Sequence, residues 1–206
     1  MHKRFEGMPI IPLGLDLETS STQQNNGVIL SIGLYDPSGN NWGGRHFYTE
    51  IQYTEPIPIC AEAMRVNKLK TTLLDNPNLP TLEEAEEQVL WWIRKQHSKP
   101  YSYIPVGFNV GSFDMAFIKV HMPQLHELFG YRSVDLNSLL IAEAVNTKCH
   151  LIELKKWYKK KAESSALRIC QDGPHNALFD AAQAIFILQQ YTHNLTDLKK
   201  GVMHNE

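Results

Sequence analysis

The 206-residue chain is 43% hydrophobic and 20% charged, long enough for one α/β domain with a substantial core and too short for two comfortable ones. Its formal net charge of −2 counts against a protein that coats nucleic acid by neutralising phosphates, but not against one that grips a single strand end with the help of bound cations. No apolar run approaches the roughly 18 residues of a membrane span, and the start MHKRFEGMPI lacks the apolar stretch of a secretory signal, so an intracellular, cytoplasmic protein without membrane association is expected.

Ile10 to Glu18 alternates Leu13, Leu15 and Leu17 against Gly14, Asp16 and Glu18, the period of a strand. Val28 to Tyr35 and Arg45 to Tyr53 read as two more, separated by the turn clusters QQNNG and DPSGNN, so the sheet should begin antiparallel. Thr81 opens a helix through about His97, with Glu84 at the third position of a capping box. A short strand, Tyr103 to Phe108, precedes a helix from about Ser112, and another near Ser133 to Leu136 precedes helices over Asn137 to Asn146 and Leu151 to Lys161. The last long helix is expected over roughly His175 to Tyr191, entered through Asp172-Gly173-Pro174 as capping residue and first-turn proline. Three strands joined by turns and then strands alternating with helices give a mixed sheet with helices on its faces. The expectation is one domain over 1–206, with a core of about 8–191 and a loosely held tail from 192 to 206.

Against this apolar pattern, three elements aim acids inward. Asp16 and Glu18, two apart on the first strand, project from one side of the sheet. A helix from Ser112 would align Asp114 with Phe117, Ile118 and His121, and Asp180 shares a helical face with Ala177, Ala181, Ala184 and Leu188. Burying unpaired carboxylates costs several kcal/mol or forces their protonation, so positive charge must be near. No Arg or Lys lies on these faces; the nearest candidates, Lys119 and Arg132, fall outside the stripes. Divalent cations fit, because Mg²⁺ and Mn²⁺ prefer oxygen ligands, and four acids suit a pair of ions about 4 Å apart that clamps a phosphodiester. His175 precedes Asp180 by five residues, about 140° round a continuous helix. It reaches the same site only from the helix entry, where its imidazole would be a base for the attacking water.

The motifs DLET at Asp16 to Thr19, FNxxxFD at Phe108 to Asp114 and HNALFD at His175 to Asp180 resemble, in order and separation, the DEDDh (DnaQ-like) superfamily of 3′-to-5′ exonucleases. The resemblance implies an RNase H-like fold with a five-stranded mixed β-sheet flanked by α-helices. It also implies two Mg²⁺ or Mn²⁺ ions on Asp16, Glu18, Asp114 and Asp180, and His175 as general base. The implied reaction releases nucleoside 5′-monophosphates from the 3′ end of single-stranded DNA or RNA. Thr19, Ser20, Asn109 and Phe113 become the expected substrate contacts. The Asn109 to Asp114 spacing and the segment HMPQLHELFGYRSVDLNSLL are similar to oligoribonuclease, whose relatives pair as homodimers and act on short RNA. The Phe113-Asp114 pair is more like polymerase-type and phage exonucleases, so a phage-encoded enzyme also fits.

Other features read more plainly. Cys60, Cys149 and Cys170 are odd in number and widely spaced, without a disulfide or zinc pattern. LKKWYKKK, residues 154 to 161, is either a basic edge with aromatic surfaces for a single strand or a solvated helix face. Trp91 and Trp92 are expected in the core, and His121 and His126 as packing or surface residues. Two other classes compete with the exonuclease: a non-catalytic nucleic-acid-binding module on the same scaffold, and an RNase H-like endonuclease.

Overall fold

The computed structural model describes residues 8–39, 44–53, 60, 76–96 and 101–203. In chain order its elements are β1 (Ile10–Thr19), β2 (Ile29–Asp36), β3 (Arg45–Glu50), α1 (Leu82–Gln96), β4 (Ser102–Gly107), α2 (Asp114–His121), α3 (Pro123–Phe129), β5 (Val134–Asp135), α4 (Leu136–Thr147), α5 (Leu151–Ile169) and α6 (Ala177–Met203). The strands form one sheet in the order β3-β2-β1-β4-β5. β1, β2 and β3 pair antiparallel, as their short turns require, while β4 and β5 join in parallel after helical crossovers. This is the five-stranded mixed sheet of the RNase H-like expectation. No helix among the described residues is long and apolar enough to cross a membrane.

The alternation in β1 divides the core. Leu13, Leu15 and Leu17, all at most 5% exposed, face α1 and α2 together with Ile32, Val89, Ile93, Phe117 and Ile118. Burial of each such leucine stabilises the fold by about 1.5–3 kcal/mol. On the other face, Val106 packs with Leu140, Tyr158, Ala162, Phe179, Ala182 and Ile185 of α4, α5 and α6. That second face carries Gly14 and Gly33, and α6 lies directly upon them. A Cβ at Gly14 would overlap the Ala181 carbonyl, and one at Gly33 the backbone of Ala177. The small residues Ala177, Ala181 and Ala184 complete a contact made largely by main chain.

Several boundaries differ from the sequence reading. The Thr81–Glu84 capping box forms as expected, the Thr81 N–H donating to Glu84 Oε2 at 2.8 Å and the Glu84 N–H to Thr81 Oγ1 at 3.2 Å. The helix end expected at His97 falls outside the described residues. The helix expected from Ser112 is two helices: Pro123, lacking an amide hydrogen, starts α3 after α2 stops at His121. α5 continues past Lys161 to Ile169 because Ala162 and Ala166 extend the buried stripe of Tyr158 across the Ser164-Ser165 pair. α6 likewise runs beyond the expected end at Tyr191, to Met203. No Gly or Pro interrupts it before Gly201, and Asn194 Nδ2 donates to the Tyr158 hydroxyl at 3.1 Å, tying this stretch to α5. Trp92 is buried against Phe47, but Trp91 is 61% exposed under Lys95, since neighbours about 100° apart on a helix cannot both face one core.

Gly33→Ala is expected to destabilise the protein by about 2 kcal/mol, the usual scale of overpacking at a closed contact. The urea midpoint reads this, and an unchanged midpoint would mean that α6 does not rest on β2 as described.

Candidate active site

Asp16 and Glu18 stand on the face of β1 that meets α6, and the glycine contacts set how near α6 comes. Asp180, in the first turn of α6, therefore meets both. Carboxylate oxygens of Asp16, Glu18 and Asp180 lie within 4.8 Å of one another. Glu18 is 7% exposed, and Asp16 and Asp180 are half-buried. Asp114 stands outside that trio and is 3% exposed. β4 pairs with β1 only as far as Val106 opposite Gly14, which leaves later β1 amides on that side unpaired by strand. Asp114 Oδ1 accepts from one of them, the Leu17 N–H, at 3.0 Å. The acid that begins α2 is thereby drawn to the strand carrying Asp16 and Glu18.

His175 stands at the entry to α6, as its spacing requires, but the helix starts later than expected. His175 has φ 64°, left-handed and outside the helix, after Gly173 with φ 75°. The cap is Asn176 rather than Asp172: its Oδ1 accepts from Leu178 N–H at 3.0 Å, and its Nδ2 donates to Asp172 Oδ2 at 3.2 Å. The His175 N–H donates to Asp180 Oδ2 at 2.8 Å, so the acid and the exposed histidine share one turn.

The four expected substrate contacts occupy different settings. Thr19 is 5% exposed, its hydroxyl donating to the Ser21 carbonyl at 2.7 Å. Ser20 is fully buried, its oxygen accepting from the Val28 N–H, and so braces the turn between β1 and β2. Phe113 is half-buried against Phe117, with ring centroids 5.2 Å apart. Asn109 is exposed with φ 57°, in the turn between β4 and α2. A network that the sequence reading missed holds it there. Asp135 Oδ1 accepts from the N–H groups of Asn109 at 3.1 Å and Asn137 at 2.8 Å, and Asn137 Nδ2 donates to Asn109 Oδ1. The signal was an Asp at a strand end just before a helix, the usual place of an N-cap.

Burial, and then the charges of Asp114, Asp180 and Glu18, push the Asp16 carboxyl well above the ordinary range. Burial and Asp180 raise Glu18 to about 7. Burial raises Asp114 to about 8 although two backbone amides favour its anion, with Glu18 and Asp135 adding to the rise. Against these, the Lys159 ammonium of α5 lowers Asp16. That corrects the sequence-based expectation that no protein cation serves the site: Lys159, 45 positions beyond Asp114, arrives through the packing of α5 on α6 and shares no helical face with the acids. One lysine does not balance four carboxyls. The trio is all oxygen, without cysteine or histidine, and the raised proton affinities of Asp16 and Glu18 mark a site short of positive charge. Such a donor set fits a hard divalent cation of the Mg²⁺ or Mn²⁺ kind.

Below about pH 4 Glu18 and Asp114 are protonated both folded and unfolded and leave stability unchanged. From there to about pH 8 the unfolded chain releases protons that folded Glu18 and Asp114 retain, so stability should fall as pH rises through that window in the presence of chelator. Asp16→Asn should flatten this decline, raise the Tm in chelator, and abolish the Tm increase that Mg²⁺ or Mn²⁺ gives the wild type. Thermal melts at both ends of the window decide it; a wild-type Tm in chelator that climbs toward pH 8 would contradict the raised carboxyls.

No family model matches the chain. It is 44% identical over 124 residues to the oligoribonuclease of Corynebacterium glutamicum (strain R), a segment covering 59% of this chain and 48% of that protein. It is 30% identical over 124 residues to the mitochondrial oligoribonuclease of Mus musculus, covering 58% of this chain and 46% of the relative. The chain thus spans about half the length of the curated relatives it matches. Among solved structures, cell-death related nuclease 4 (CRN-4) superposes with a TM-score of 0.60 at 14% identity, covering 89% of this chain and 64% of that one. A 3′-exonuclease solved in connection with recognition of a histone mRNA stem-loop gives 0.59 at 12%, covering 93% and 66%. At such identities the likeness is one of fold, and the fold is the RNase H-like one of these nucleases.

Proposed function

We propose that the protein is a 3′-to-5′ exonuclease of the DEDDh type, releasing nucleoside 5′-monophosphates from the 3′ end of short single strands, RNA before DNA. The observation that carries this is the convergence of Asp16, Glu18 and Asp180 to within 4.8 Å, with His175 hydrogen-bonded through its amide to Asp180 and Asp114 bonded to the same strand. The names of the relatives supply the preference for RNA.

Asp16, Glu18, Asp114 and Asp180 would hold two divalent cations, Mg²⁺ or Mn²⁺. When bound, these would acidify the attacking water and offset charge on the scissile phosphate. The protein's own groups do the remainder. His175, exposed on a left-handed turn whose amide is bonded to Asp180, would serve as the base, a ring nitrogen taking the proton of the attacking water. Asn109, fixed by Asp135 and Asn137, offers an amide beside the strand end. Phe113 offers a half-buried ring against which a base or sugar can lie.

End-labelled single-stranded RNA with Mn²⁺ should yield a ladder shortened from the 3′ end, abolished by chelator and by Asp16→Asn or Asp180→Asn. His175→Ala should lower the rate about 10²- to 10⁴-fold while the metal-induced Tm increase survives. A circular single strand should stay intact. Cutting of the circle would make the protein an endonuclease, and a mobility shift without shortening would make it a binding module.

A further inference from the structure

We propose that Lys159 is a phosphate-contacting residue of this cleft, its ammonium gripping the nucleic-acid backbone where the strand passes Phe108 to reach the carboxylate cluster; this rests on the nuclease reading above. Phe108 is the residue after β4. Like Val106, it packs in the cluster formed with α4, α5 and α6, on the side of the sheet that α6 covers. The Lys159 Nζ lies 4.7 Å from the centroid of its ring.

The base of the lysine is fixed. Tyr158 beside it is fully buried, and Gln183 Nε2 of α6 donates to the Lys159 carbonyl at 3.2 Å. The residue is exposed, and its ammonium rests on a ring face. Such a hold is weak at an exposed site, so an anionic phosphate oxygen can readily replace it. The ring under the ammonium follows directly on β4, the strand beside the one that carries Asp16 and Glu18. A chain of net charge −2 with clustered acids repels a polyanion unless cations stand where the strand lies. Lys155, one turn earlier on the same face, extends the positive charge away from the acids. Lys160 projects about 100° round the helix from Lys159 and serves as the control.

The test measures binding of a fluorescent single-stranded RNA with terminal phosphorothioate linkages that resist cleavage, by anisotropy across a KCl series. Lys159→Gln should bind about tenfold more weakly at low salt, as for loss of a charged hydrogen bond. Its slope of log Kd against log salt should be shallower by about 0.7, the signature of one lost phosphate contact on a single strand. Lys159→Met, which keeps the apolar stem on Phe108, should reproduce that slope; Lys159→Arg should restore it; Lys160→Gln should leave it unchanged. An unaltered slope in both Lys159→Gln and Lys159→Met, or an equal loss in Lys160→Gln, overturns the assignment. If wild-type protein shortens the unmodified RNA while the slope stays fixed, only Lys159 is removed. If it neither shortens nor binds RNA, the nuclease reading fails and takes this one with it.

Discussion

Two glycines on adjacent strands, Gly14 and Gly33, let α6 lie with its backbone against the sheet, and the distances in the acid cluster depend on that approach. A side chain at either position would lift the helix, and Asp180, one turn into it, would be lifted too. The leucines on the opposite face of β1 pack against α1 and α2 with ordinary apolar contacts, so the strand is held from behind while its front is kept bare. One face supplies cohesion, and the other accepts a close backbone contact so that carboxyls from two elements can meet.

The consequence is electrostatic. Asp16, Glu18 and Asp114 retain their protons further up the pH scale than free carboxyls do, first because burial disfavours the anion and then because neighbouring carboxylates repel it. A fold selected for stability alone would place apolar groups here; locally unfavourable chemistry supported by a sound scaffold is what a functional site looks like. The Leu17 amide and the His175 amide each steady one anion without neutralising it. The cluster is therefore organised to receive positive charge rather than to cancel its own.

Much of this was legible in the sequence. Period-two alternation located β1, and the placement of Asp16 and Glu18 on its Gly14 side followed from parity alone. The short turns after β1 and β2 gave the antiparallel start. The five-residue gap from His175 to Asp180 required the histidine to stand outside the helix, where it stands. Illegible were the features set by long-range packing. Gly14 and Gly33 are unremarkable until a helix is laid across them. Lys159 joined the site through the docking of α5 on α6, which no local pattern reports. The length of α5 was hidden by two serines whose weak propensity yields to the buried stripe on either side, and the length of α6 by a polar segment anchored at Tyr158.

Asp180 has two duties, one oxygen engaged by the His175 amide and the carboxyl as a whole joined to Asp16 and Glu18. The loop that bears the imidazole is thus tethered to the acid cluster by the acid itself. Damage at 175 and at 180 will consequently be non-additive: once the tether is cut the histidine has already lost its bearing, and deleting the ring as well removes little more. The dependence runs one way: the amide at 175 outlasts its imidazole, so Asp180 keeps its place beside Asp16 and Glu18 when the ring alone is gone.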